Sequence, residues 1–130
     1  MSIEARLTEL GLTLPQPMNT AALPFDLVRA DGDHLYLSGH VPTDMSGAMS
    51  KPFGKVGDQV SPEEAYAIAG RIALGLAASI KAHVGGFDRI EKWLRAFTMV
   101  IAAPGITQIP AVSKGCCSTW PPTLETKIAA

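Results

Sequence analysis

Residues Asp33–Pro42, with the sequence DHLYLSGHVP, form the segment that decides the fold. In its first half apolar residues alternate with polar ones, so that Leu35 and Leu37 share one face of a β-strand. The preceding Asp31-Gly32 is a short-turn signal, because glycine tolerates the positive φ that a tight hairpin needs. The sequence therefore predicts a hairpin that runs into a Ser-Gly turn. Its two strands are Phe25–Ala30 and His34–Ser38.

A long helix follows, after a loop that contains several glycines. Ser61-Pro62-Glu63-Glu64 forms a capping box with proline at the first helical position, and Gly85-Gly86 ends the helix after about Val84. Ala65–Val84 is apolar and long enough to cross a bilayer. The charge of Arg71 inside it, together with its many small residues, favours a buried helix of a globular domain instead. Four residues at helical spacing form the predicted core stripe: Ile68, Ile72, Leu76 and Ile80.

The segment Ile90–Ala102 has the clearest strand pattern in the chain. Both of its faces are largely apolar, with Trp93, Phe97 and Met99 on one and Leu94 on the other. We therefore predict a strand that is central or covered on both sides. A small domain with few helices can cover the second face by oligomerising.

Two shorter helices complete the predicted elements. Ser2 can cap a helix that Gly11 ends, and another helix is predicted to start near Gln108–Pro110. From Ser113 onward the sequence has neither helix nor strand periodicity, and its prolines disfavour both. We therefore treat residues 113–130 as an atypical tail of a single domain that spans residues 1–130.

The order of strand, Ser-Gly turn, glycine-containing loop and capped helix resembles the RidA/YjgF family (reactive intermediate deaminase, or endoribonuclease L-PSP). The likeness runs from about Arg6 to about Val112, and the segment Arg6–Pro15, RLTELGLTLP, is similar to a longer-chain branch of that family. The resemblance implies an α+β fold of the chorismate-mutase-like kind. In such a fold, one long and one short helix lie on one face of a small, mainly antiparallel sheet. It also implies a homotrimer with pockets between its subunits.

The same resemblance implies an activity and a site. The activity is hydrolysis of small reactive enamine or imine acids to a keto acid and ammonia, without a cofactor. Ser38, Gly39 and His40 would line the subunit-interface pocket, where glycine allows close approach of a ligand and the other two side chains supply hydrogen bonds. His40 is a candidate general base, and Arg95 a candidate partner for the substrate carboxylate.

Each of these residues also has a purely structural interpretation. Ser38-Gly39 could simply end a strand, His40 could be a satisfied surface or interface histidine, and Arg95 could reach solvent or pair with an acid. In the well-studied branch of the family, an arginine and a glutamate near the C-terminus hold the substrate carboxylate and position the attacking water. This chain has no arginine after Arg95, and its only later acid is Glu125. The catalytic residues are therefore unassigned, and a non-catalytic metabolite-binding or inactivated member is the alternative.

The tail raises a further expectation about the sheet. Where relatives continue with a helix and two strands, residues 113–130 look unrelated, so we expect the sheet to be truncated at its C-terminal strands. A shifted reading frame near the end of the coding sequence would produce this pattern. A sheet without those strands exposes an unpaired edge, which invites pairing with another chain.

Composition narrows the classes of partner. The net charge is −1 and the chain has no cluster of basic residues, so the sequence predicts no positively charged surface that would bind nucleic acid. An RNA-directed endoribonuclease is therefore the least favoured function. Cys116 and Cys117 are adjacent and are read as free thiols. No metal-ligand spacing occurs, so we predict no metal site. Without a secretion signal the expected location is the cytoplasm, and the expected ligand is a small carboxylate, imino or keto acid.

Overall fold

The computed structural model describes residues 2–120, and it contains three helices and one two-stranded sheet within that range. The mixed α+β class predicted from the sequence is confirmed. In chain order the elements are α1 (Ile3–Glu9), β1 (Val28–Asp31), β2 (His34–Leu37), α2 (Pro62–Val84) and α3 (Ile109–Cys117).

The hairpin forms where it was predicted, with a shorter first strand. The strands β1 and β2 are antiparallel, with Asp31 opposite His34, so the loop consists of Gly32-Asp33. Gly32 has a φ of 57°, and glycine with positive φ at the first loop position is typical of a type II′ turn. Leu35 and Leu37 pack against the core, as the alternation predicts.

Both ends of α2 match the predicted helix. Ser61 Oγ accepts a hydrogen bond from Glu64 N at 3.1 Å, and Glu64 Oε2 accepts one from Ser61 N at 2.8 Å. Gly85 ends the helix in the left-handed region with a φ of 83°. By length and composition alone α2 could cross a membrane. Its buried side instead supplies the core of this fold.

The buried face of α2 differs from the predicted stripe. Ile80 is fully buried, whereas Ile68, Ile72 and Leu76 are only partly so. The most buried line lies beside them and consists of alanines at four-residue spacing: Ala65, Ala69, Ala73 and Ala77. Small side chains at these positions let neighbouring elements come close to the helix axis, which larger side chains would prevent.

The helix α3 lies especially close to this line of small residues on α2. Gly115 of α3 lies directly against α2. A Cβ atom at its position would be 2.9 Å from the carbonyl carbon of Tyr66 and 3.1 Å from Ala69 Cβ. Just beyond the same C-terminal end of α3, Arg6 of α1 donates from Nη2 to the carbonyl oxygen of Ser118 at 3.2 Å. The three helices are thus joined around α2.

The predicted strand Ile90–Ala102 is wrong over most of its length. The segment 91–100 has no regular structure and makes no backbone hydrogen bond to any other residue between 2 and 120. Pairing is limited to its far end, where Val56 N donates to Ile101 O and Ala103 N donates to Val56 O, both at 2.9 Å. A strand needs a neighbour, and the described chain supplies one only at Ala102.

The prediction that residues from Ser113 onward lack regular structure is wrong for the first part of the tail. The helix α3, which starts as predicted near Gln108–Pro110, continues past Ser113 to Cys117. Trp120 is buried in the core and packs against Trp93 in a tilted arrangement, with ring centroids 4.5 Å apart. Residues 121–130, including Glu125, lie outside the described residues.

The close contact between α3 and α2 makes Gly115 a sensitive position. Replacing Gly115 with alanine places a methyl group against the Tyr66 carbonyl. We expect a loss of about 1–3 kcal/mol in the free energy of unfolding, typical of overpacking. The matched control is Gly70→Ala in α2, where the new Cβ would meet only Gly115 O at 3.5 Å and Thr119 Oγ1 at 3.7 Å. Because alanine is the better helix former, that variant should gain about 0.5–1 kcal/mol. Urea unfolding curves measure both, and equal effects would contradict this account.

Candidate functional site

Ser38 follows β2 and bonds to the residues just before β1, at the end of the hairpin opposite its loop. Its backbone N–H donates to Leu27 O at 2.9 Å, and its hydroxyl donates to Asp26 O at 2.8 Å. The side chain predicted to bind a ligand thus already has a structural role. Its hydroxyl oxygen keeps lone pairs with which it can still accept a hydrogen bond.

His40 connects the turn to α2. Its Nδ1 lies 2.8 Å from Ser38 O, and its Nε2 lies 2.9 Å from the Oγ of Ser79, a buried residue of α2. A carbonyl oxygen can only accept, so Nδ1 carries the proton, and in the neutral ring Nε2 then accepts from the Ser79 hydroxyl. Both ring nitrogens are therefore satisfied inside the chain.

Burial controls the charge of this histidine. Burial of the imidazole lowers the pKa of His40 from its ordinary value of 6.5, although the hydrogen bond to Ser38 O acts in the opposite direction. His40 is therefore held neutral near pH 7. The neutral ring is the form that the hydrogen bond from Ser79 requires.

Gly39 is the exposed residue of the turn, and apart from its two chain neighbours no residue lies within 4 Å of the position that a Cβ would occupy there. The backbone N–H groups of Gly39, His40 and Val41 donate to no acceptor in the described part of the chain. A backbone N–H group without an internal acceptor can donate to an anion such as a carboxylate. The turn thus offers backbone donors rather than side-chain groups.

Arg95 lies in the unpaired segment 91–100. Its side chain is exposed, and it forms no hydrogen bond or ion pair with residues 2–120. The structure brings Ser38, Gly39 and His40 together but shows no contact between Arg95 and that turn. A guanidinium in this position is available to a ligand or to another subunit.

Other chemistry has little support among the described residues. They contain no group of three or more His, Cys, Asp or Glu side chains that could hold a metal ion. Burial raises the pKa of the half-buried Cys116 thiol, and the neighbouring Cys117 raises it further. A raised pKa disfavours a nucleophilic thiolate. A shallow cleft of about 300 Å³ opens between α2 and α3, where Pro62, Tyr66, Gln108 and Val112 are among its lining residues, and it includes no part of the turn.

Sequence reasoning missed Ser79. The residue stands among apolar neighbours near the end of α2, at a position that is buried. A hydroxyl on the buried side of a helix needs a partner, and this was the signal available in the sequence. The identity of that partner was not readable, because His40 is 39 positions away along the chain.

Comparison with known proteins supports the fold. No family model matches the chain. A curated relative, Protein TCP17 from Trypanosoma cruzi, is 28% identical over 114 residues, which cover 87% of this chain and 69% of the relative.

Two crystal structures are similar in fold. One, a protein of unknown function from Agrobacterium tumefaciens, has a TM-score of 0.80 and 28% identity, and the match covers 96% of this chain and 75% of that protein. The other, provisionally described as an endoribonuclease from Shewanella oneidensis MR-1, has a TM-score of 0.78 and 23% identity. This match covers 92% of this chain and 77% of that protein. The chain therefore has the RidA-like fold.

The lowered pKa of His40 predicts a pH-dependent stability. Because the unfolded chain takes up this proton more readily than the folded protein, protonation favours unfolding. The stability linked to neutral His40 is fully present above pH 6.5 and is lost as the pH falls from there towards the folded pKa. Melting temperatures between about pH 8 and pH 5 should fall less steeply for His40→Gln than for the unmodified protein. Since His34 and His83 remain in both, parallel curves would contradict the assignment to His40.

Proposed function

We propose that this protein is a RidA/YjgF-like hydrolytic deaminase, which converts small reactive enamine or imine acids to keto acids and ammonia at a pocket between subunits. The observation that carries the proposal is the exposed turn at Gly39, with its three free backbone N–H groups, on a RidA-like fold. These donors match the carboxylate that all such substrates have in common.

The reaction assigns different tasks to different groups. Water adds to the carbon of the C=N bond and forms a C–O bond; the C–N bond then breaks, and ammonia leaves with a proton taken from the added hydroxyl. Binding requires donors or a cation for the carboxylate, and the turn and Arg95 can supply them. His40 directs its Nε2 lone pair at Ser79. We therefore assign the positioning of the attacking water to a group from a second subunit.

A surface suited to a second subunit lies on the unpaired segment. Leu94, Phe97, Met99 and Ile101, here called the apolar strip, are between 63% and 81% exposed. Side chains of this size give about 600 Å² of apolar surface, which approaches the roughly 800 Å² per partner of a standard interface. The free backbone groups of segment 91–100 add unpaired donors and acceptors to the same surface. We propose that another copy of this chain covers the strip, within a cytoplasmic homotrimer.

A non-catalytic metabolite-binding protein is the second candidate. The observation that favours it is the engagement of both His40 ring nitrogens within the chain, which leaves the described turn with binding groups but without a free base. An RNA-directed activity, suggested only by the provisional name of one structural neighbour, has no support from the charge of −1.

Deaminase activity predicts faster hydrolysis of 2-iminopropionate generated in situ by an amino-acid oxidase. Arg95→Ala should lower kcat/KM about 10- to 100-fold if the guanidinium holds the carboxylate, since hydrogen bonds to charged groups contribute about 1.5–3 kcal/mol. Arg89→Ala removes another exposed arginine and is the control. Thermal stabilisation by pyruvate without any acceleration would instead support the binding protein. If the protein neither accelerates hydrolysis nor is stabilised by pyruvate, both candidate functions are excluded.

Coverage of the apolar strip predicts an oligomer in solution. The double variant Phe97→Glu, Met99→Glu should shift the sedimentation equilibrium of the protein to the monomer, because two charges would have to be buried at the interface. Phe53→Glu changes an exposed aromatic residue outside the strip and should leave the oligomer intact. An unmodified protein that sediments as a monomer at micromolar concentration would contradict the proposed assembly.

A further inference from the structure

An exposed ion pair lies beside the candidate turn, at the end of the hairpin opposite its loop. Arg29 Nη2 donates to Asp26 Oδ2 at 3.1 Å, and the two side chains are 77% and 68% exposed. The backbone of Asp26 is in direct contact with the turn, because the Ser38 hydroxyl donates to Asp26 O at 2.8 Å. The guanidinium of Arg29 is therefore held by a residue that itself bonds to the turn.

The register of the hairpin places Arg29 on the side that faces away from the core. Arg29 lies directly opposite Tyr36, so their side chains share one face of the sheet. Leu35 and Leu37 pack against the core on the other face. Ser38 follows Tyr36 by two residues and continues the pairing by donating its N–H to the first strand's side, so its side chain belongs to the outer face as well. The arginine and the hydroxyl of the turn thus lie on the same surface.

Arg29 keeps most of its hydrogen-bonding capacity. A guanidinium has five N–H donors, and only Nη2 of Arg29 bonds to an acceptor within residues 2–120. Arg6, by comparison, engages both Nη1 and Nη2, with Glu9 Oε2 at 2.8 Å and the carbonyl oxygen of Ser118 at 3.2 Å, and its side chain is only 21% exposed. Arg29 is thus a loosely held arginine, which can exchange its partner.

An anion at the turn would change the balance of this ion pair. A ligand carboxylate that accepts from the N–H of Gly39 comes close to the carboxylate of Asp26, which repels it, and to the guanidinium of Arg29, which attracts it. A planar guanidinium can bind a carboxylate through two parallel hydrogen bonds, whereas Asp26 accepts only one from Arg29. Giving up the bond to Asp26 costs little, because exposed ion pairs contribute little to stability.

We propose that Arg29 is a ligand-binding residue of this site. Its guanidinium turns from Asp26 to the carboxylate of a ligand held by the N–H groups of the turn, and Asp26 competes with that ligand for the guanidinium. The nature of the ligand rests on the proposed function. The contact itself lies within one subunit, so it needs neither Arg95 nor a second copy of the chain.

Titration of the full-length protein with pyruvate at constant ionic strength tests this exchange. Arg29→Ala should weaken binding about tenfold, at the lower end of what a hydrogen bond to a charged group contributes. Asp26→Asn should tighten binding about two- to fivefold, because it removes the competing carboxylate of an exposed ion pair. Combining Asp26→Asn with Arg29→Ala should abolish this gain, since Asp26 acts through the guanidinium.

Two control variants make the same changes of charge elsewhere. Arg89→Ala and Asp88→Asn alter exposed residues that form no ion pair within residues 2–120, and both should leave the affinity for pyruvate unchanged. An ion pair with a purely structural role would make Asp26→Asn neutral or harmful to binding. Unchanged affinity in Arg29→Ala would overturn the proposal, and so would unchanged or weaker binding by Asp26→Asn.

The Nε–H signal of Arg29 separates this inference from the proposed function. In 15N-labelled protein, pyruvate should shift this signal together with the amide of Gly39. If pyruvate shifts Gly39 but neither the Arg29 signal nor the affinity responds as expected, this inference fails while the proposed function survives. If pyruvate binds through Arg29 but 2-iminopropionate is not hydrolysed faster, deaminase activity fails and the Arg29 contact stands. If pyruvate shifts neither signal, the turn is not a carboxylate site and the inference falls with it.

Discussion

The close approach of other elements to α2 is the constraint on which the rest of this structure depends. A line of alanines on the helix, together with Gly115 on α3, leaves room for backbone to pack against backbone. Such contacts gain dispersion energy over many atoms and lose it quickly when one side chain grows. The same helix contributes Ala73, Ala77 and Ile80 to one cluster of buried apolar residues and Ala65 to a second cluster. A capping box defines its first turn and a left-handed glycine its last.

This rigid helix also reaches the candidate site through one polar contact. The hydrogen bond between Ser79 and His40 joins the buried side of α2 to a turn whose own residues are exposed or half-buried. His40 bonds to Ser79 on one side and to the carbonyl oxygen of Ser38 on the other, so its ring links the core to the backbone of the turn. A site built in this way uses backbone donors, which have a fixed position and no side-chain entropy to lose on binding.

Features encoded by adjacent residues were predictable from the sequence, and features that require a distant partner were not. The ends of α2 and the hairpin follow from local capping and turn residues, and the structure confirms them. The largely apolar faces of Ile90–Ala102 favour a strand, but strand formation depends on a neighbour that segment 91–100 does not have within residues 2–120. In the site, Ser38, Gly39 and His40 are contiguous and were found together. Ser79 was missed because its pairing with His40 is set by the tertiary fold.

The contact between Trp93 and Trp120 has an optical consequence. These are the two tryptophans of the chain, and their rings lie 4.5 Å apart at an angle of 60°. At such a separation their electronic transitions couple, so the near-ultraviolet circular dichroism of the folded protein carries a contribution that neither indole has alone. One ring stands at the start of the unpaired segment and the other just after α3. The intrinsic chromophores of this protein therefore report the docking of these two segments on each other, separately from the helix content that far-ultraviolet spectra follow.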